Sequence, residues 1–444
     1  SRGLQTHGAS QASPRSPRAS DPRRQPGFTL LTAMNRYNAD CAATIVTTAH
    51  SKGIPYMRIV MLAPFGIRPK GTLAARMLPL AQALSRRGHK VVIVAPPVHN
   101  PEDAATCIVY DGVPVIHIAR SSLPGAAGVI QQTPLLLREA LRHAPDIVHL
   151  FKPKGYSGLA ALLVQALRPG LPLAVDTDDW EGPGGWNDLL PYSPAAKRLF
   201  AWQERDLPRR AAAVTVASRT LETLMWSIGV APNRVFYLPN GVSPSIVHIP
   251  RSTLHGSHST SNLLLYTRFW EIDVHEVVSA LVGIASHCPN TRLIVAGKGE
   301  RGEEETLLRL AGRAGVLHVI DYRGWLKPEQ IPVTLASADV ALMPMRDTLI
   351  NRARGLAKLL ELMGAGLPIV ASRVGQAAEY LEHGVSGWLV PPGNAGILSK
   401  AAIHLLEHAD LRQRLSDGAR HAALRYSWDA LAPVAEQAYR SVER

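Results

Sequence analysis

Cysteine is nearly absent: Cys41, Cys107 and Cys288 are the only three in 444 residues. They lie far apart without metal-ligand spacing, which argues against a disulfide framework or a zinc site and for a reducing compartment. Buried thiols acting as small hydrophobes are the ordinary role of such residues. Aromatics are scarce too, at 6%, and the basic residues are not interleaved with them. That sets nucleic-acid binding well below a small anionic ligand as the use of the positive charge. No apolar run is long enough to cross a bilayer, so any membrane contact would be peripheral. Acids are short at the start: residues 1–56 carry six arginines and one lysine against Asp21 and Asp40, and without them the net charge of +13 falls to +8. This segment is rich in Ser, Arg, Pro, Ala and Gln and is expected to be a disordered extension. Its composition resembles a transit peptide, but it suits equally an extension upstream of a true start at Met57.

The rest is globular, and its length calls for two domains. From Met57 strand and helix alternate. Strands are expected at Ile59–Ala63, Val91–Ala95, Pro114–Ile118, Ile147–Leu150, Leu173–Asp176 and Ala213–Ala217. Helices are expected at Thr72–Arg87, Val129–Arg142, Tyr156–Leu167, Pro194–Arg209 and Thr220–Ile228. At Leu238-Pro-Asn-Gly241 the pattern breaks into a proline- and serine-rich linker. It restarts with strands Leu263–Tyr266, Leu293–Ala296, Val316–Ile320, Val340–Met343 and Leu367–Ala371. The intervening helices are His275–His287, Glu303–Ala314 and Pro328–Ala336, and the closing ones are Ala395–His408, Asp410–Arg425 and Trp428–Val442. The expected class is α/β, with two Rossmann-like doubly wound domains facing a cleft: 57–240, 241–425, and a final helix at 426–444.

In such sheets ligands bind outside the carboxyl ends of the strands. Gly66 to Gly71-Thr72 nearly makes a phosphate-binding loop, but Lys70 stands before the second glycine instead of after it, so only a glycine turn at a helix start remains. Asp176-Thr-Asp178-Asp179-Trp180-Glu181 follows a strand end. Its four carboxylates could hold a divalent cation, or orient sugar hydroxyls with Trp180 or Trp186 stacking on the ring; caps and a solvated turn would account for one or two of them. Arg268 is placed to bind a diphosphate, or to pair with Glu271 or Asp273. Gly297 sits in another strand-end turn, and His149 suits a core position as well as a ligand contact. Lys358 and Glu361, one turn apart, would face the crevice. Arg76, Arg86 and Arg87 rim the first helix, which would suit an anionic membrane surface or a plain Rossmann helix.

The run Lys358-Leu-Leu360-Glu361-Leu-Met-Gly-Ala-Gly366-Leu-Pro-Ile-Val-Ala-Ser, with Val374-Gly375-(x)3-Glu379 and Gly387-Trp-Leu-Val-Pro-Pro-Gly393, resembles the retaining glycosyltransferases of family 4, which have the GT-B fold. The likeness extends over Met57 to Arg444. It implies a nucleoside diphosphate sugar as donor substrate, no cofactor and no metal. Glu361 and Leu360 would lie at the ribose, Arg268 and Lys358 at the diphosphate, and Gly375, Gly297 and Gly71 in the backbone cradle. Asp178 would stand near the place of the family's first-domain histidine, and Asp179, Trp180, Asp347 and His149 would contact sugar or acceptor. The chain departs from the family where Ala353 replaces an expected glutamate and where Asp273 and Val274 occupy the usual place of a lysine; Lys358 would supply that charge. The Asp176-Thr-Asp178 triplet matches the metal motif of the other glycosyltransferase fold, which has one nucleotide domain. The expectation is a hexosyltransferase-type enzyme in the cytoplasm, or peripheral on the inner membrane face, with a sugar, lipid-linked or small-molecule acceptor. The alternatives are a nucleotide-sugar epimerase or phosphorylase on the same fold, or a non-catalytic sugar-nucleotide binding protein.

Overall fold

Valine- and isoleucine-rich runs, buried on both faces, build two sheets in the computed structural model, which describes residues 56–68, 71–98, 100–242, 246 and 260–441. The extension up to residue 55 and most of the linker lie outside the described residues. The first sheet comprises β1 (Arg58–Leu62), β2 (Lys90–Ala95), β3 (Cys107–Tyr110), β4 (Val113–His117), β5 (Ile147–Phe151), β6 (Leu173–Thr177), β7 (Ala213–Val216) and β8 (Val235–Tyr237). Its order is β3-β4-β2-β1-β5-β6-β7-β8, parallel except for the β3–β4 pair. The second comprises β9 (Ser261–Tyr266), β10 (Thr291–Ala296), β11 (Ile320–Gly324), β12 (Val340–Met343), β13 (Ile369–Ser372) and β14 (Trp388–Val390), ordered β11-β10-β9-β12-β13-β14 and wholly parallel. Each order reverses once, between β1 and β5 and between β9 and β12. Those switch points are where the loops part to leave a crevice.

The helices that position the site are α1 (Leu78–Arg86, entered through a π-turn at Leu73–Met77), α2 (Gly125–Arg142), α3 (Gly155–Leu167), α4 (Trp186–Leu189), α5 (Pro194–Arg210), α6 (Arg219–Ser227) and α7 (Val274–His287). They continue with α8 (Glu303–Arg313), α9 (Gln330–Ala336), α10 (Leu349–Ala353), α11 (Ala357–Gly364), α12 (Gln376–Tyr380), α13 (Ala395–Glu407), α14 (Ala409–Leu424) and α15 (Trp428–Arg440). Some elements depart from expectation for local reasons. The run expected as a strand at Val316–Ile320 begins as a 3-10 turn, Leu317–Val319, whose Val316 and Val319 cap the core, and pairing with β10 starts only at Ile320. The edge strands β3 and β8 were not expected; they are only four and three residues long and partly exposed. Cys288 is a free, partly buried thiol.

The last helix, α15, returns to the first sheet. Trp428, Leu431, Ala432, Ala435, Ala438 and Tyr439 join the core of β1, β2 and α1. Its polar edge takes the cations expected to rim α1: Arg86 pairs with Asp429 at 2.6 Å and Arg87 with Glu436, while Arg76 is buried against Asp176 at 2.6 Å. Each of the three arginines is therefore paired with a carboxylate of the chain, the Arg86 pair at the surface and the Arg76 pair in the interior. Among the described residues no helix is long and apolar enough to cross a membrane.

Candidate active site

Arg268 follows β9, where the second sheet reverses direction. Its backbone N–H donates to Glu271 at 3.0 Å, but its guanidinium pairs with Glu300 at 2.6 Å rather than with Glu271 or Asp273. That pair is half-exposed, so the guanidinium can exchange Glu300 for a ligand anion. The loop owes its course to Gly297, at φ +132°, where a Cβ would stand 1.7 Å from the Thr267 carbonyl oxygen. Lys358, on α11, lies with its ammonium 4.7 Å from the centre of the Tyr266 ring. Burial pushes its pKa down to about 8, opposed by Glu271 and assisted by the charges of Arg354 and Arg268. Glu361, one turn on, accepts a hydrogen bond from the Tyr266 hydroxyl, which burial and this carboxylate hold well above the usual phenol range. Two cations, Arg354 and Lys358, thus act on one buried carboxylate. Glu271 stays below its ordinary range although burial alone would raise it, because Arg354 and Lys358 hold it ionised.

The other residues expected at the donor separate into two groups. Gly375 sits beside the site, at φ +49°, because a Cβ would come within 2.7 Å of the Arg352 and Asn351 backbone. Leu360 is fully buried in the core shared by α11, β12 and β13, and its side chain packs there instead of lining a ligand. Asp347 is held by Arg352 in a two-point pair whose second contact is 2.7 Å. Ala353 is completely buried at the boundary with the first sheet, its carbonyl accepting from the Ser218 hydroxyl at 2.6 Å. The small residue there permits that close approach.

On the first sheet, Gly71 opens the π-turn and accepts from the Ala75 N–H at 2.9 Å. The next residue, Thr72, donates its hydroxyl to Asp178 at 3.0 Å. The acidic run is neutralised from within, which corrects the expectation that it might collect round a cation. Asp176 is bridged by Arg76 and accepts from Thr215 at 2.6 Å, while Lys152 lies 3.3 Å from Asp178, near Asp179, and 3.5 Å from Glu181. Lys154 adds a second contact to Glu181 at 3.0 Å. Burial would pull Lys152 down, but its carboxylates together hold it well above the ordinary lysine range. Shared among them, Lys152 leaves Asp178 short of compensation, and burial pushes that carboxyl up to about 6. Asp178 also ties the two sheets together, its carbonyl accepting from the Gly355 N–H at 2.7 Å.

Two aromatic expectations change. Trp180 is buried inside its own loop and donates to the Pro183 carbonyl at 2.9 Å, so it offers no face to a sugar. Trp186 instead reaches Trp270 of the second sheet, their rings 4.2 Å apart. His149 is a core histidine: Tyr439 lies 2.8 Å from one ring nitrogen and Thr215 3.3 Å from the other, and burial pushes it down to about 4, hence neutral. Its expected sugar contact is excluded by complete burial.

Both rims thus belong to one crevice lined by strand ends, and each half of it matches a known model. Residues 71–241 match a glycosyl transferase 4-like domain, and residues 261–408 match glycosyl transferases group 1. The chain is a GT-B glycosyltransferase. It is 26% identical over 400 residues to the phosphatidyl-myo-inositol mannosyltransferase of Mycobacterium leprae, covering 87% of this chain and 97% of that one. A shorter stretch of 153 residues is 31% identical to the D-inositol 3-phosphate glycosyltransferase of Streptomyces bingchenggensis, 34% of this chain and 32% of the relative. In fold the glycosyltransferase is similar to Anabaena HepE in complex with UDP and glucose (TM-score 0.62, 20% identity, 87% of this chain and 99% of that one). It is also similar to the sucrose-phosphate synthase of Thermosynechococcus elongatus (TM-score 0.65, 18% identity, 86% and 98%).

Sequence reasoning missed three cations of this enzyme's crevice: Lys152, Arg354 and the buried role of Arg76. Only one carried a usable signal. Lys152 directly follows β5 at a positive φ of 51°, a strand-end position like that of Arg268. Arg76 has the helical spacing of an exposed rim, and Arg354 follows Ala353 in a stretch without a motif that marks it.

Proposed function

We propose that this glycosyltransferase moves a sugar, with retention of anomeric configuration, from a nucleoside diphosphate sugar to an acceptor hydroxyl. The observation that carries this reading is the set of cations where the second sheet reverses: Arg268 stands half-exposed at the strand end and Lys358 is buried near Glu271, beside a Glu361 already ordered by Tyr266. An anionic diphosphate pairs with those cations, and the Glu361 carboxylate accepts the two ribose hydroxyls, each bond contributing about 1.5–3 kcal/mol. In the reaction the bond from the anomeric carbon to the β-phosphate oxygen breaks and a bond to the acceptor oxygen forms on the same face. The acceptor's proton passes to the departing phosphate. Charge grows on that leaving group, so cations already fixed around it stabilise the transition state more than the ground state.

The complex of HepE with UDP and glucose supports a donor of this class. The names of the inositol-directed relatives support a polyol or sugar hydroxyl, free or lipid-linked, entering along the rim of the first sheet near Asp178. No cofactor beyond the donor is required. A cytoplasmic site of action belongs to the same proposal, because a charged donor stays on the side of the membrane where it is made.

A thermal-shift screen of UDP-, GDP- and ADP-sugars tests the donor, since a ligand that binds only the folded state must raise the melting temperature. The hit is then incubated with and without a panel of acceptors. Nucleotide release that depends on an acceptor is the expected result; conversion of the donor without one would overturn transfer in favour of epimerisation.

A further inference from the structure

One buried cation beside Glu271 and Trp270, Arg354, is one that the family resemblance does not supply. Arg354 caps α10 in an extended conformation, directly before Gly355, whose N–H reaches across to Asp178. Its side chain is about nine-tenths buried, yet Nη1 has no hydrogen-bond partner. The nearest carboxylate oxygen, Glu271 Oε2, lies 3.9 Å away and is itself without a hydrogen bond. The other oxygen of Glu271 already accepts from the Arg268 backbone. A buried guanidinium with an open N–H is costly unless an acceptor fills the place.

The aromatic pair fixes where that N–H can go. The Arg354 guanidinium lies 4.6 Å from the centre of the Trp270 ring, and the Arg268 guanidinium lies 5.9 Å from the centre of Trp186. The two rings are in contact. Each guanidinium is thus braced on an aromatic surface, leaving its edge for hydrogen bonding. Lys358 is close enough to both arginines that their charges disfavour its proton.

We infer that Arg354 is a donor-diphosphate ligand, the cation that acts with Arg268 where Asp273 and Val274 leave the usual lysine position empty of charge. This rests on the donor reading given above. An arginine in that place binds two phosphate oxygens at once, whereas a lysine offers a point charge.

The test is titration calorimetry of the full chain with UDP, GDP and ADP, and with the matching nucleosides, for the unaltered protein, Arg354→Met and Arg354→Lys. Arg354→Met is expected to weaken the nucleoside diphosphate about 10- to 100-fold while leaving the nucleoside unchanged, because the ribose site at Glu361 is intact. Arg354→Lys is expected to recover part of that loss. Equal weakening of nucleoside and diphosphate would assign Arg354 a structural role and overturn the inference, as would unaltered diphosphate affinity in both variants. If Arg354→Met melts well below the unaltered protein, Arg354→Lys decides on the same criterion: a selective loss for the diphosphate supports the role and no loss refutes it. Failure of the unaltered protein to bind any of the three diphosphates would instead refute the donor reading itself, and this inference with it.

Discussion

The rims of the two sheets carry the same kind of sequence signal, charged residues directly after a strand, and put it to opposite uses. On the first sheet each acid has a cation beside it: Arg76 for Asp176, and Lys152 and Lys154 for Asp178, Asp179 and Glu181. On the second, Arg354 and Lys358 act on Glu271, Lys358 also feels Glu361, Arg268 holds Glu300 in a half-exposed pair, and Arg354 keeps one N–H without a hydrogen bond. A closed set of charges rigidifies a loop; an open set calls for a ligand. Which of the two a cluster becomes depends on its partners and not on its own composition.

The comparison breaks first where the closed set is deepest. Arg76→Met strips the buried partner from Asp176 and is expected to cost about 3–5 kcal/mol of stability, read by urea unfolding. A loss below 1 kcal/mol would mean that the first rim is not the structural one. Next, Arg268→Ala is expected to lower kcat about 10²–10³-fold with little change in the unfolding midpoint, since its pair with Glu300 is half-exposed. Near-normal turnover would remove Arg268 from the phosphates.

A smaller effect follows from Lys358, whose pKa burial pushes to about 8. Protonated below that value and neutral above it, it is expected to make UDP affinity fall as pH rises from 7 to 9, by at most about tenfold per unit for one proton. Lys358→Met should flatten the profile. Stability of the unliganded protein has the opposite sign: between about 8 and the ordinary lysine value the unfolded chain holds a proton that the fold has lost, so stability rises with pH there. Least of all, Asp347→Asn disrupts only the exposed pair with Arg352 and is expected to leave the melting temperature nearly unchanged. A clear drop in kcat/KM in that variant would place Asp347 on the transferred sugar and open the second rim further.

Much of the architecture was legible from local patterns. Runs such as Val91–Ala95 and Val340–Met343 are short, apolar and bounded by turn residues, so their period and length identify parallel strands. Gly297 and Gly375 marked loops where backbone meets backbone, and the Lys358 to Glu361 turn marked the ligand-facing helix. The edge strands β3 and β8 and the 3-10 start of the run at Val316 were not legible, because pairing and capping there depend on neighbours. At the site, Trp180 and His149 misled for the same reason: an aromatic after a strand end and a histidine within a strand look alike whether they face a cleft or the core.

The sequence alone determined the alternation that makes two doubly wound sheets and the positions at strand ends where charged side chains accumulate, since both follow from local periodicity and backbone freedom. The neutralisation of those charges was decided by tertiary structure. Arg76 meets Asp176 across 100 residues of chain, and Ser218 meets Ala353 across 135. Electrostatic compensation acts through space over a few ångströms, so only the folded chain shows which cations are already satisfied and which, like Arg354, keep a buried N–H without a hydrogen bond.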